Sequence, residues 1–421
     1  MQVRQSLKNL KMIWQPNVIW SILGIGANAL YATILIIFVT RVNGMDKQGV
    51  FSFIFYISSI FQTIGNYGGR IYQVSDIKGK YSDNTYISLK AVTAAIMIVS
   101  ALFFCFGNGY SQEKLFLMLI FVGYRFFENI SEACFGVLQK NNRLDIIGKS
   151  MFFKAVLSTA LFILLNYLTK NLLLSSASFI LVYLVFFLFY DWKKTKAYSP
   201  VKFLFTMQIK ELAKESFQVF LYTFFNIFIL NITRYFVDWK ADDTVQGYFT
   251  SLVIPVSLIS LVAQFLIQPM ITPLVEEYAK NKKGFARKSI MALLALFGIG
   301  IVAAVVSYFI LVDVWGMVNG VSLQAYRVES FLLVLSGICS GGTTIISMLL
   351  VIMRKLTGQT IVYIISAIVA ILVSWIMVSN DVSGSLYAYM TGLFIQFLLF
   401  AILFLFYVKK AVMAEGEKNN D

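Results

Sequence analysis

Twelve apolar segments, each about 20 residues long, recur along this chain and limit its fold more than any other feature. A helix of that length crosses the roughly 30 Å hydrocarbon core of a bilayer. Because no water satisfies the backbone there, such a segment crosses as a helix. The predicted spans are residues 18–40, 48–68, 85–106, 113–135, 148–168, 172–190, 216–238, 246–268, 288–312, 327–352, 359–379 and 383–408. The sequence therefore predicts an all-α integral membrane protein with about twelve transmembrane helices.

Basic residues are concentrated in alternate loops, and this sets the predicted topology. Only 13% of the 421 residues are charged, yet the net charge is +14. With the N-terminus inside, the cytoplasmic segments hold twenty-five lysines and arginines, whereas the opposite loops hold five: Arg41, Lys47, Lys114, Lys170 and Lys240. The positive-inside rule then predicts that both termini are cytoplasmic. The positive charge is a topology signal, so no nucleic-acid partner is predicted.

The longest polar interruption separates six spans from six. It covers residues 191–215 and divides the chain into an N-terminal lobe (1–190), a cytoplasmic linker (191–215) and a C-terminal lobe (216–421). The second half of the linker mixes apolar residues with lysines at helical spacing. It is predicted either to lie along the membrane surface as an amphipathic helix or to be a plain linker.

Several residue types that carry chemistry are absent or scattered. The chain contains no histidine, which excludes a histidine proton relay and histidine metal ligands. No GxxxxGK[ST] nucleotide-binding motif occurs. Cys105, Cys134 and Cys339 lie in apolar spans at unrelated spacings, which is typical of small buried hydrophobic residues. We predict neither an enzyme nor a bound cofactor or metal.

Three charges lie on one face of the fourth span. Arg125, Glu128 and Glu132 are spaced i, i+3 and i+7, which aligns them on one stripe of a helix. Ionisable groups at membrane depth normally face a bundle interior or a water-filled cavity along a transport path. The stripe therefore predicts a functional site inside the membrane. The alternative is an ion pair between Arg125 and Glu128 that only neutralises the arginine.

Further cations fall in other spans and favour an anionic cargo. Lys90, Lys154 and Arg234 together with Arg125 predict a ladder of positive charge through the bilayer. Fixed cations replace the water that an anion loses in a low-dielectric region, and arginine matches phosphate oxygens with a planar fork. A diphosphate would suit this site. Lys90 and Arg234 lie near span ends, so the alternative for each is extension to the lipid headgroups.

Coupling and gating residues are also predicted. If H+ or Na+ drives transport, the available carboxylates are Glu128, Glu132, Asp238 and Glu329, of which Glu329 begins the tenth span and is expected at the interface. Pro255 lies inside the eighth span, where it removes a backbone hydrogen bond and bends the helix. A hinge at Pro255 is one interpretation, and ordinary helix packing is the other.

Four motifs resemble those of the polysaccharide repeat-unit (Wzx-type) flippases. These belong to the exporter superfamily that includes MATE drug exporters and lipid II flippases. The motifs are NYGGRIYQVSD (66–76), GVLQKNNRLDIIGKS (136–150), NITRYFVD (231–238) and VIPVSLISLVAQFLIQPMITPLVEEY (253–278). The resemblance extends over nearly the whole chain. One departure is Thr233, where the family pattern would place a proline before Arg234.

The resemblance implies a MATE-like fold of two six-helix lobes around a central cavity. The implied cargo is an oligosaccharide linked through diphosphate to undecaprenol, moved from the inner to the outer leaflet of the bacterial cytoplasmic membrane by alternating access. Arg70 would meet the diphosphate at the cytoplasmic mouth, and Gln139, Arg143 and Asp145 would gate the cavity. A monomer in contact with membrane lipids is expected.

Other interpretations remain open at this level. In one of them, Arg143 and Asp145 only pair with each other. A multidrug exporter on the same fold would need acidic groups for cationic drugs, and a non-catalytic membrane scaffold would need none of these charges.

Overall fold

The computed structural model describes residues 16–76 and 79–418, and every regular element in these ranges is a helix. We number the helices α1 to α13. Consecutive helical segments that are joined by a 3-10 or π turn are counted as one helix. They are α1 Pro16–Asn43, α2 Met45–Gly65, α3 Gly69–Ser75, α4 Asp83–Gly107, α5 Gln112–Lys140, α6 Leu144–Thr169, α7 Leu172–Lys196, α8 Gln208–Lys240, α9 Asp243–Lys280, α10 Lys282–Asn319, α11 Gln324–Ile352, α12 Leu356–Met377 and α13 Val382–Lys418.

Ten of these helices are long and apolar enough to cross a membrane. The other two long helices, α2 and α5, coincide with the second and fourth predicted spans and carry more polar residues. The predicted all-α membrane architecture is therefore confirmed. The predicted cytoplasmic N-terminus, with Arg4, Lys8 and Lys11, lies outside the described residues, as do Lys78 and the last three residues of the chain.

The helices group into two compact units. Among the described residues, the first contains 16–44 and 50–224, and the second contains 45–49 and 225–418. Between them in sequence, α7 continues to Lys196 and α8 begins at Gln208. Of the two predictions for the second half of the linker, a separate surface helix is wrong, because the helix that starts there continues into the span as α8.

The first unit is held together by close helix packing and by aromatic side chains. A Cβ added at Gly24 would lie 2.5 Å from the backbone oxygen of Gly148, so α1 and α6 approach closely where neither residue has a side chain. Phe51 of α2, Phe121 of α5 and Phe162 of α6 are fully buried, and the Phe51 ring centroid lies 5.4 Å from each of the other two. These contacts fix α5 against its neighbours.

Polar side chains cap the starts of two helices of this unit, α4 and α5. The Ser82 side chain accepts a hydrogen bond from the Thr85 amide at α4, and Ser111 does the same for Lys114 at α5. Each cap satisfies one of the amides that a helix start leaves unpaired.

Helix α7, which corresponds to the sixth predicted span, contains a π turn at Phe187–Asp191. Such turns are rare and frequently lie at functional sites.

In the second unit, α9 packs along α11, and α12 and α13 form a further pair. Asp242 caps α9 by accepting a hydrogen bond from the Val245 amide at 2.7 Å. Fully buried Phe249 of α9 meets Tyr389 of α13 edge to face. Gly49 and Gly247 permit another close approach, because a Cβ at Gly49 would lie 1.7 Å from the Asp243 oxygen.

Candidate functional site

Arg125 is buried in the first unit and held by α2. Its side chain is only 4% exposed. Nε donates to the Ser58 hydroxyl at 3.0 Å, one terminal nitrogen donates to the Gln62 amide oxygen, and the other donates to the Phe55 carbonyl at 3.3 Å. The guanidinium also lies over the rings of Phe55 and Tyr124, at 5.4 and 5.2 Å. The arginine fork is thus fixed by three oxygen atoms and two aromatic faces.

Gln62 connects Arg125 to Glu128. Its amide nitrogen donates to the Glu128 carboxylate at 2.7 Å, while the direct ion pair between Arg125 and Glu128 is 4.0 Å long. The predicted pair is present, but Gln62 carries the shorter contacts. Ser58, Gln62 and Asn66 recur every four residues on and directly after α2, and this polar stripe in an apolar span is the sequence signal that points to these residues.

Lys154 lies in a second polar cluster, between α5, α6 and α7. Its ammonium forms an ion pair with Asp191 and donates to the Ser131 hydroxyl at 3.0 Å. Ser131 and Ser150 each donate to one oxygen of Asp191, at 2.7 and 2.6 Å. The Lys154 and Asp191 side chains are 4% and 0% exposed. This is a fully buried ion pair with added hydrogen bonds.

Asp191 is a functional candidate that the sequence does not reveal. The sequence predicts it as the first residue of a cytoplasmic linker, but the structure places it in the π turn of α7, inside the unit. The π turn contains one more residue per turn than an α-helix and so changes which side chains face inward. An acidic residue directly after the apolar run FLFY gives only a weak indication of such burial.

Lys90 is buried as well, at 3% exposure. Its ammonium donates to the Asn66 side-chain oxygen at 2.6 Å and to the Tyr67 carbonyl at 3.0 Å. Extension to the lipid headgroups is therefore the wrong interpretation for this lysine. Among the described residues, no carboxylate lies within ion-pair distance of Lys90, so neutral oxygens hold its charge.

Arg70 pairs with the third member of the α5 stripe. Its Nε lies 3.6 Å from the Glu132 carboxylate, and both side chains are partly exposed. In the first unit, Arg70, Lys90, Arg125 and Lys154 face Glu128, Glu132 and Asp191, which leaves one positive charge in excess. The predicted ladder of positive charge is thus a mixed network in this part of the chain.

Helix α3 carries Arg70 and is anchored at both ends. Gln73, which is fully buried, donates to the Ala133 carbonyl of α5 at 3.1 Å. After α3, Asp76 accepts hydrogen bonds from the amides of Lys80 and Tyr81 at 2.9 and 3.0 Å. Burial alone would raise the pKa of the Asp76 carboxyl, but these hydrogen bonds lower it below its usual value. The anchors position Arg70 beside Glu132.

We expect Gly136→Ala to disturb this anchor. The new Cβ would lie 2.1 Å from the side-chain oxygen of Gln73, which is fully buried and already donates to the Ala133 carbonyl. Overpacking of this kind costs roughly 1–3 kcal/mol, so the melting temperature of the purified protein should fall. Gly26→Ala is the matched control, because a Cβ there meets nothing within 4 Å. Equal melting temperatures for both variants would contradict the proposed tight contact.

The predicted gating residues near the end of α5 form a local cluster. Arg143 binds Asp145 through two contacts of 2.9 Å and also contacts the Tyr198 hydroxyl. The Asp145 amide donates to the Asn17 side chain of α1 at 3.0 Å. The pairing of Arg143 with Asp145 is confirmed. Half-buried Gln139 accepts a hydrogen bond at its carbonyl from the Asn142 amide, and its gating role stays a prediction.

Arg234, Asp238 and Pro255 belong to the second unit. Arg234 is buried, donates to the Thr250 hydroxyl at 2.6 Å and lies over the Phe249 ring at 5.2 Å. Extension to the headgroups is therefore wrong for Arg234 too. Asp238 is half-buried, and Pro255 is buried within α9. Their roles in coupling and gating stay predictions. Among the described residues, no group of three or more metal-ligating side chains is found.

Comparison with solved structures identifies the fold. A multidrug resistance MATE family transporter of the MOP superfamily, in its inward-facing conformation, superposes with a TM-score of 0.68 at 12% identity, covering 93% of this chain and 95% of that one. The lipid II flippase MurJ, in its inward closed conformation, gives a TM-score of 0.67 at 15% identity, covering 94% and 89%. This chain is a multi-pass membrane protein with the MATE fold, as predicted.

Sequence comparison gives a narrower similarity. The capsular polysaccharide biosynthesis protein CapF of Staphylococcus aureus is 26% identical over 197 residues, which is 46% of this chain and 46% of that protein. The match therefore spans less than half the length of this relative. No protein-family model matches the chain.

Proposed function

We propose that this protein is a flippase for undecaprenyl-diphosphate-linked oligosaccharide repeat units, which it moves from the inner to the outer leaflet of the bacterial cytoplasmic membrane. The observation that carries the proposal is a pair of cations in the first unit: Lys90, which is buried and held by neutral oxygens, and Arg70, which is partly exposed. Arg70 presents an accessible planar guanidinium, and neutral oxygens hold the ammonium of Lys90. Two such cations suit a diphosphate. The fold shared with a lipid II flippase and the partial similarity to a capsule biosynthesis protein support it.

The mechanism that we propose is alternating access. Arg70 and Lys90 would receive the diphosphate at the cytoplasmic mouth, and Arg125, Lys154 and Arg234 would stabilise it further into the membrane. Fixed cations and dipoles replace the water that the diphosphate loses, while the prenyl tail stays in lipid. No bond is made or broken in this process, so the protein would be a transporter rather than an enzyme.

Glu128, Glu132 and Asp238 are the carboxylates that we propose for coupling to H+ or Na+. Among the three, Glu128 has the contacts that best support this role. It pairs with Arg125, accepts a hydrogen bond from Gln62 and interacts electrostatically with Glu132. Pro255, Gln139, Arg143 and Asp145 are proposed as gating positions. A monomer would suffice for such a cycle.

Depletion of the protein tests the proposed function directly. We expect undecaprenyl-diphosphate-linked oligosaccharide to accumulate in the inner leaflet, and re-expression of the wild type to remove it. Mass spectrometry of extracted lipids, combined with leaflet-specific labelling of the sugars, measures both. Depletion without any accumulation would overturn the proposal.

The same cells distinguish the main alternative. A multidrug exporter on this fold would show increased drug sensitivity on depletion with normal lipid-linked oligosaccharide. A membrane scaffold would show neither transport defect but would lose a partner protein from the membrane. Either result would replace the flippase proposal.

A further inference from the structure

The ion pairs of the first unit differ in strength and access. Arg70 and Glu132 are 3.6 Å apart, with side chains that are 29% and 22% exposed. Lys154 and Asp191, by contrast, are in direct contact and nearly inaccessible. An open pair in high-dielectric surroundings contributes little to stability and exchanges partners easily. The Arg70 pair is therefore the one in this network that a ligand can replace.

Glu132 also acts on Lys90. The carboxylate interacts electrostatically with the Lys90 ammonium, although Asn66 and Tyr67 make the hydrogen bonds. Glu132 is thus the negative charge shared by Arg70 of α3 and Lys90 of α4. The 3.6 Å contact puts this carboxylate where an anionic ligand of Arg70 would bind.

We propose that Glu132 is an internal competitor for the cargo diphosphate, and that cargo binding displaces it from Arg70 and Lys90. This inference rests on the proposed function. A diphosphate diester carries two negative charges, one for each cation, whereas Glu132 supplies one. Once Glu132 is displaced, the two charges of the diphosphate match the two cations one for one, whereas an anion with a single charge leaves one of the cations unmatched. Glu132 would select for diphosphate over monophosphate and would keep the site closed to weaker anions.

The test is a binding measurement on the full-length protein in lipid nanodiscs. The probes are farnesyl methyl diphosphate, a diester with two charges and no ionisation near neutral pH, and farnesyl methyl phosphate, which has one. We expect Glu132→Gln to bind the diphosphate about tenfold more tightly than the wild type, or about 1.4 kcal/mol. Glu211→Gln, an exposed carboxylate on α8, is the matched control for overall charge and should bind as the wild type does.

The possible outcomes separate the two proposals. Diphosphate binding that is equal or weaker in folded Glu132→Gln overturns the competitor role and leaves the flippase proposal intact. Absence of saturable binding in the wild type and in both variants overturns both. Tighter diphosphate binding to Glu132→Gln than to the wild type, with Glu211→Gln binding as the wild type does, supports the competitor role.

Discussion

Asp191→Asn is expected to remove most of the folded protein from the membrane. The substitution leaves the Lys154 ammonium buried without a counter-charge, since Asp191 is its ion-pair partner and is itself inaccessible. Breaking a buried pair by removing one partner costs about 3–5 kcal/mol, whereas the whole free energy of unfolding is commonly about 5–15 kcal/mol. Size-exclusion chromatography of detergent extracts and the thermal melting curve measure the loss.

A double variant separates the lost charge from lost packing. Lys154→Met with Asp191→Asn removes both charges, and the new amide can accept a hydrogen bond from one of the Ser131 and Ser150 hydroxyls and donate one to the other, so folded yield should return close to that of the wild type. Glu215→Gln is the exposed counterpart, because it breaks an accessible ion pair with Lys80 and should leave the melting temperature unchanged. A folded, normally melting Asp191→Asn protein would show that the Lys154 charge is satisfied in another way.

Much of the fold is predictable because it depends on the apolar length of each span. The length of an apolar segment can be determined without knowing which helices pack against it. All twelve predicted spans correspond to long helices in the described residues. Local spacing is equally informative within one helix. The contact of Arg125 with Glu128 and that of Arg143 with Asp145 both join residues at most three apart.

The partners from other helices could not be predicted from spacing. Gln62 lies 63 residues before Arg125, and Asp191 lies 37 residues after Lys154. Asp191 is further hidden by the π turn, which changes the face of α7 that points inward. Depth is hard to predict for the same reason. Lys90 lies near the start of its span, where extension to lipid is normal, and the two residues that accept its hydrogen bonds, Asn66 and Tyr67, belong to another segment.

These partners change the interpretation of the site. Cations alone would attract any anion and would be costly to bury. Cations already held by Glu128, Glu132 and Asp191 make a site whose charges are nearly balanced without cargo. Under the proposed function, the cost of burial is thus small when the site is empty, and specificity comes from which pair the cargo can replace.

Arg125→Ala is expected to lower transport at least about tenfold, equivalent to about 1.4 kcal/mol or more in the barrier. The substitution removes the three hydrogen bonds from Arg125 to Ser58, Gln62 and Phe55 and leaves Glu128 with Gln62 as its donor. Hydrogen bonds to a charged group contribute about 1.5–3 kcal/mol. The measurement is inner-leaflet accumulation of lipid-linked oligosaccharide in depleted cells that express matched amounts of folded variant.

Two further variants distinguish a role in transport from a role in folding. Arg125→Ala with Glu128→Gln removes both charges, so it should restore folded yield if yield falls, but transport should stay low because the cation is still absent. Arg125→Lys keeps the charge and loses the fork, and should recover transport only in part, since lysine cannot bind Ser58, Gln62 and Phe55 together. Full transport by folded Arg125→Ala would mean that Arg125 only organises α2 against α5, and the charged path would then have to begin and end at other residues.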